Sequence, residues 1–284
     1  MNPYPYTRIL HMKAGAGLFA YVLQAVAFIH EFRNDQVIMK MDRAHFYYDA
    51  NIIFTDNVWE YYFDPTGIVK GQILDYGNAY GHIMKCTHTP PKLISDRHNI
   101  EFIDALHTVF HEKIKVRKEI LDKAHVFYNE HMAGMKILSV HKRNSSHYKP
   151  GYGHIEDRNG ILTMDYYLQY VDDKFKNYDK IFLLTDEQDA YDAFGKRYGR
   201  DLIHYDSEMT PSGTYILDKK RGYKLGEDVL IEALLASKTD HLIGGQSNVC
   251  IGIRIMNNEI IFDLIDAQIS RRGRFKSRHR RNIQ

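Results

Sequence analysis

Arg143 stands where an apolar run, Ile137-Leu138-Ser139-Val140-His141-Lys142, passes into the polar turn Asn144-Ser145-Ser146. A guanidinium presents a planar fork of donors that fits phosphate oxygens. Ligands of open α/β sheets collect outside the carboxyl ends of the strands, so this placement points to anion binding. Two further apolar runs end in comparable chemistry. Lys180-Ile181-Phe182-Leu183-Leu184 is followed by Thr185-Asp186, and His241-Leu242-Ile243 by Gly244-Gly245-Gln246-Ser247-Asn248. Three strand ends that bring Arg, Thr/Asp and Ser/Asn chemistry to one edge weaken the plain alternative, an arginine paired to a structural carboxylate.

Other constellations are open to two readings. Gly15-Ala16-Gly17-Leu18-Phe19-Ala20 fits G-x-G-x-x-A, with Asp42 at about the distance of a ribose-binding acid. The pattern suits either a nicotinamide site or a tight turn that lets a helix pack on its strand. His107 and His111 are one helical turn apart but lack the glutamate of H-E-x-x-H, so they read as helix-surface residues and no metal is expected. No Asp-x-Asp occurs in the chain, which argues against a metal-bridged sugar-nucleotide mechanism built on that pair. The run Asn57-Val58-Trp59-Glu60-Tyr61-Tyr62-Phe63 is either core packing or a platform on which a sugar ring stacks.

The elements that hold these residues follow from periodicity. The first half opens with a strand near 7–12, the glycine turn, a helix over 18–32 and a strand over 37–41 ending at Asp42. A single long helical pattern fills 100–131. Beyond Gly134 strand and helix alternate: strand 137–142, helix 164–176, strand 180–185, helix 188–198, a polar loop, helix 227–237, strand 240–244, helix 247–257 and strand 259–264. Such alternation is the signature of parallel βαβ units. The chain of 284 residues, 44% hydrophobic, suffices for two cores, with the boundary expected near 132–136. This gives an N-terminal domain over 1–133, a C-terminal domain over 134–270 and a basic tail over 271–284.

That tail holds seven arginine and lysine residues and no acid, so a net charge of +2 conceals a body at −5. The tail suits a solvated end or weak contact with an anionic membrane surface. The tail could also touch nucleic acid, but the acidic body gives no support for that, and no nucleic-acid partner is expected. Two cysteines, Cys86 and Cys250, in no C-x-x-C spacing fit a reducing compartment. With no leader pattern and no apolar stretch of spanning length, the chain reads as soluble and cytoplasmic.

Taken together, the three strand-end motifs resemble those of the fucosyltransferase superfamily that includes the bacterial nodulation fucosyltransferase, the core α1,6-fucosyltransferases and the protein O-fucosyltransferases. His141-Lys142-Arg143-Asn144 matches the first motif, of the form His-x-Arg before a polar turn. Ile181–Asp186 resembles the second and Asp240–Cys250 the third, preceded by the helix Glu227–Ser237. Gly15–Gln24 is similar to the family's glycine-rich loop and first helix, with Gly15 and Gly17 on the donor side. The resemblance implies an α/β, GT-B architecture, two Rossmann-like domains facing across a cleft. It also implies inverting, metal-independent transfer, without cofactor, from a GDP-sugar, GDP-fucose in this family's pattern, to a glycan acceptor. Carried over by residue, Arg143 binds the β-phosphate and stabilises the departing diphosphate. His141 and Asp186, beside Thr185, contact the nucleoside, and Ser247 and Asn248 the phosphates, with Gln246 next to them.

Two departures qualify the carry-over. Asn144 stands where the core α1,6 enzymes have a second arginine, and no acid follows before Pro150. The general base is therefore sought in the loop before helix 164–176, at Asp157 or Glu156, with His147 and His154 as alternatives. Ile251 replaces an arginine common after the third motif, which leaves open another sugar nucleotide such as a xylosyl donor, and the missing acid after Arg143 leaves open a binding protein without turnover.

Overall fold

The computed structural model describes residues 6–12, 14–67, 72–76, 100–142, 164–211, 222–245 and 247–265. The chain divides into two compact units. One comprises Met1–Lys123, Lys220–Ile231 and Ile251–Asn258, the other Ala124–Lys219, Glu232–Cys250 and Glu259–Gln284.

The first unit is built on a parallel sheet of β1 (Tyr6–Met12), β2 (Gln36–Met41) and β3 (Gln72–Tyr76) in the order β2-β1-β3. β1 pairs with β2 from Thr7↔Gln36 to Met12↔Met41 and with β3 from Tyr6↔Gln72 to Leu10↔Tyr76. A parallel step needs a crossover, and α1 (Leu18–Glu31) supplies it. Its buried face, Leu18, Phe19, Val22, Ala25, Val26 and Ile29, recurs at three- and four-residue spacing. The α1 surface also receives α2 (Ile100–Lys113). Phe19 accepts a close neighbour in Gly252, where an added Cβ would stand 2.1 Å from the Phe19 ring.

The aromatic run 57–63 is core. Trp59, Tyr61, Tyr62 and Phe63 are at most 1% exposed, Trp59 stacks on Phe63 at 4.3 Å and Tyr62 on Tyr223 at 5.4 Å. A buried ring face cannot receive a sugar, so the platform reading of this run is withdrawn. Asn57 ties the run to β2 by donating to Met39 O and accepting from Met41 N, both at 2.9 Å.

The helical pattern over 100–131 is two helices, α2 and α3 (Lys118–His131). Between them Val116 forms an antiparallel bridge with Phe63, Asp64 N–H donates to Lys115 O at 2.8 Å and Arg117 N–H to Tyr62 O at 3.0 Å. Backbone groups bonded to another segment are not available to an i→i−4 ladder. The apolar spacing of Ile114 and Val116 persists through the break, which is why periodicity runs across it.

The second unit carries five parallel strands: β4 (Ile137–His141), β5 (Lys180–Leu184), β6 (Leu202–His204), β7 (His241–Gly244) and β8 (Ile261–Leu264), ordered β6-β5-β4-β7-β8. Every residue of β4 and β7 is buried, as expected of central strands covered on both faces. Leu138, Val140, Ile181, Leu183 and Ile243 form one core with Tyr167, Leu168 and Val171 of α4 (Met164–Phe175) and with Phe194 and Tyr198 of α5 (Gln188–Tyr198). α6 (Tyr223–Ala236) precedes β7, and α7 (Asn248–Met256) follows it. Two strands lie outside the sequence expectation. β3 was not anticipated, and the polar loop after α5 contains β6, whose three half-buried residues are too few to show alternation.

Candidate functional site

In the second unit the strand order reverses at β4. The chain leaving β4 returns through α4 to β5 on one side, whereas β7 lies on the other. The crevice outside the carboxyl ends at such a switch point is where doubly wound sheets bind ligands. His141 and Lys142 end β4 there, and Gly244, Gly245 and Ser247 lead from β7 into α7.

His141 and α7 meet directly. Ser247 Oγ is 3.4 Å from His141 Nδ1, and Cys250 Sγ is 3.5 Å from the same nitrogen. Ser247 is the N-cap of α7, its hydroxyl oxygen accepting the Cys250 N–H at 3.1 Å. Gly244 permits the approach, because a Cβ there would stand 2.4 Å from Cys250 Sγ and 3.4 Å from His141 Cβ. Asn248 opens the helix, where first-turn N–H groups and the helix dipole favour an anion.

The neighbouring strand end carries a charge pair absent from the sequence expectation. Lys142 Nζ lies 3.2 Å from Glu187 Oε2, with side chains 6% and 3% exposed, and the ammonium also sits 5.5 Å from the Tyr167 ring centre. Thr185 Oγ1 accepts the Glu187 N–H at 3.2 Å. Asp186 O accepts from Thr210 N–H at 2.9 Å and from the Thr210 hydroxyl at 3.2 Å. Thr185 is buried and Asp186 half-buried. The turn after β5 is thus held by its own backbone and by the pair to Lys142.

The glycine loop of the first unit also follows a carboxyl strand end. Gly15 has φ +119°, which favours glycine, and Gly17 is the N-cap of α1. Two loop N–H groups are occupied by tyrosine hydroxyls: Ala16 N–H donates to Tyr21 Oη at 2.9 Å and Leu18 N–H to Tyr47 Oη at 2.7 Å. Asp42 Oδ1 accepts the Ala44 N–H at 2.9 Å, closing its own turn. These bonds favour the packing-turn reading of the glycine pattern over a nicotinamide site.

His107 Nδ1 and His111 Nε2 lie 2.7 and 2.9 Å from the carbonyl oxygens of Ile255 and Met256, so they satisfy the orphan carbonyls at the end of α7. Among the described residues no group of three or more His, Cys, Asp and Glu stands together as a metal site, and no helix is long and apolar enough to cross a membrane. Arg143, Glu156, Asp157, His147, His154, Gln246 and the tail over 271–284 lie outside the described residues.

Sequence reasoning placed His141, Thr185, Asp186, Ser247 and Asn248 at strand ends, and the structure brings His141 and Ser247 together. It missed Lys142–Glu187 and Cys250. Lys142 carries a signal, since a lysine that continues a largely apolar run must bury its stem and find a partner.

No protein-family model and no curated protein matches the sequence. Solved structures do match in three dimensions. The fucosyltransferase NodZ from Bradyrhizobium superposes with a TM-score of 0.55 at 16% identity, over 91% of this chain and 94% of that one. NodZ alpha-1,6-fucosyltransferase co-crystallised with GDP gives 0.56 at 14% identity, over 93% and 95%. The same enzyme soaked with GDP-fucose gives 0.54 at 16%, over 89% and 92%. The chain therefore has the fold of these structures, an α/β fold of the GT-B class with two Rossmann-like units.

Proposed function

We propose that the protein is a glycosyltransferase that takes GDP-fucose as donor and transfers fucose to a carbohydrate acceptor with inversion and without a metal ion. The observation that carries the reading is the junction of His141 with Ser247 and the start of α7 at the switch point of the second sheet. The NodZ structures with GDP and GDP-fucose share this fold, which supports a guanosine donor over another sugar nucleotide.

In this reading the acceptor hydroxyl attacks the anomeric carbon on the face opposite GDP. The bond from that carbon to the β-phosphate oxygen breaks, and the hydroxyl proton passes to Asp157 or Glu156. Charge growing on the departing diphosphate is met by Arg143 and by the N–H groups opening α7, beside Asn248 and Gln246. His141, Thr185 and Asp186 line the nucleoside side, and Gly15 and Gly17 shape the loop of the other unit. The basic tail adds weak attraction to an anionic membrane surface.

The test is calorimetric titration with GDP, UDP and NAD⁺ in EDTA, followed by GDP-fucose turnover. GDP binding without metal is expected. UDP preference would remove the fucose claim, and NAD⁺ binding alone would overturn the transferase reading. Arg143→Ala is expected to lower turnover by at least 10²-fold, the scale for losing one preorganised donor to a developing anion, with an unchanged unfolding transition. Near-normal turnover in that variant would remove Arg143 from phosphate binding.

A further inference from the structure

Two hydrogen-bond donors of the α7 N-terminus converge on one atom of His141. Ser247 Oγ and Cys250 Sγ lie 3.4 and 3.5 Å from Nδ1. Both residues are buried, at 3% and 1% exposure, so solvent is not a ready acceptor for either proton. The Ser247 oxygen accepts the Cys250 N–H at 3.1 Å, which uses a lone pair and leaves the hydroxyl hydrogen to donate. A buried hydroxyl hydrogen needs an acceptor, and Nδ1 is within its reach. The thiol, a weaker donor, approaches the same nitrogen. A neutral imidazole has one N–H, and if Nδ1 accepts, Nε2 carries it.

We infer that Ser247, assisted by Cys250, is a positioning residue that holds His141 as its Nε2–H tautomer. In that tautomer Nε2 is a hydrogen-bond donor and not an acceptor, the form that suits a phosphate, hydroxyl or carbonyl oxygen. Ser247 acts on the nucleotide through His141 instead of touching its phosphates. The part of this that concerns the nucleotide rests on the function proposed above; the tautomer itself does not.

The tautomer is read from long-range ¹⁵N–¹H correlation spectra of ¹⁵N-histidine protein without nucleotide, with His141→Gln assigning the signal. The Nε2–H form is expected in the unsubstituted protein and in Ser247→Thr, which keeps both cap and hydroxyl. Ser247→Asp keeps a good helix cap but replaces the donor with an acceptor, so His141 is expected to shift to Nδ1–H or to the imidazolium. An Nδ1–H ring in the unsubstituted protein, or an unchanged Nε2–H ring in a folded Ser247→Asp variant, overturns the inference. GDP titration of the unsubstituted sample separates the two claims. The expected tautomer without GDP binding sinks the functional reading alone, and GDP binding with an Nδ1–H ring sinks the positioning role alone.

Discussion

Breaking the Lys142–Glu187 pair from one side removes one charge of an ion pair whose residues are 5% and 2% exposed. Removing one member of a buried pair costs about 3–5 kcal/mol, whereas replacing both by apolar groups is often near neutral. Glu187→Leu is therefore expected to lower unfolding free energy by that amount, and Lys142→Met with Glu187→Leu to recover most of it. Urea denaturation of the three variants measures this, and a mild Glu187→Leu effect would show that the pair is not what holds the turn after β5. At this scale the sequence placed His141, Thr185, Asp186, Ser247 and Asn248 at strand ends, because polar residues directly after apolar runs mark where strands stop, while Arg143 lies outside the described residues. What was not legible is pairing across strands. Glu187 follows Thr185-Asp186 as one more polar residue, and only the parallel register of β4 and β5 brings it to Lys142. The same holds for Cys250, whose meeting with His141 depends on the absence of a Cβ at Gly244.

Helix α7 is seated on the end of β7 by that absence. Gly244→Ala would place a methyl 2.4 Å from Cys250 Sγ, and overpacking of this kind costs about 1–3 kcal/mol. Cys250→Ala in the same chain removes the offending sulfur, so the double variant is expected to regain most of the loss. If it regains nothing, the clash lies with His141 Cβ and not with the thiol. At this scale β1, α1, β2, β4, β5 and α5 were readable because strong periodicity met clear turn signals. The break between α2 and α3 was not, since the segment that interrupts the helix is hydrogen-bonded to Tyr62 and Asp64, more than fifty residues earlier. β6 was hidden for a related reason. It is an edge strand of three residues and pairs only with β5, so little hydrophobic pattern is needed to place it.

For the whole molecule, acid sensitivity has a definite sign. Burial pushes the His204 imidazole down from its ordinary 6.5 to about 4, partly opposed by Asp206, and burial also lowers His45. The unfolded chain then binds more protons than the folded one between about pH 6.5 and 4, so stability is full above that window and lost as pH falls through it. For His204 the loss is on the order of 3 kcal/mol. Its Nε2 is buried without a hydrogen-bond partner, 4.0 Å from Glu232 Oε1, and Tyr191 packs edge-on against the ring at 4.9 Å. His204→Phe is expected to flatten the stability profile between pH 6.5 and 4, leaving the His45 contribution, and an unaltered slope would assign the acid response elsewhere. The strand order of the second unit has a further consequence, for the nascent chain. The Ile137 N–H is fixed by Asp240, 103 residues further on, and β4 obtains its second neighbour only when β7 has been made. Non-local parallel pairings form slowly. During synthesis β4 therefore presents an unpaired edge on a strand that is wholly buried in the finished fold, of the kind that recruits other chains. The strand-end junction of His141 with Ser247, which needs both β4 and β7, is among the last features to appear, so a ribosome stalled before residue 241 releases a protein with a partly built sheet and no such junction.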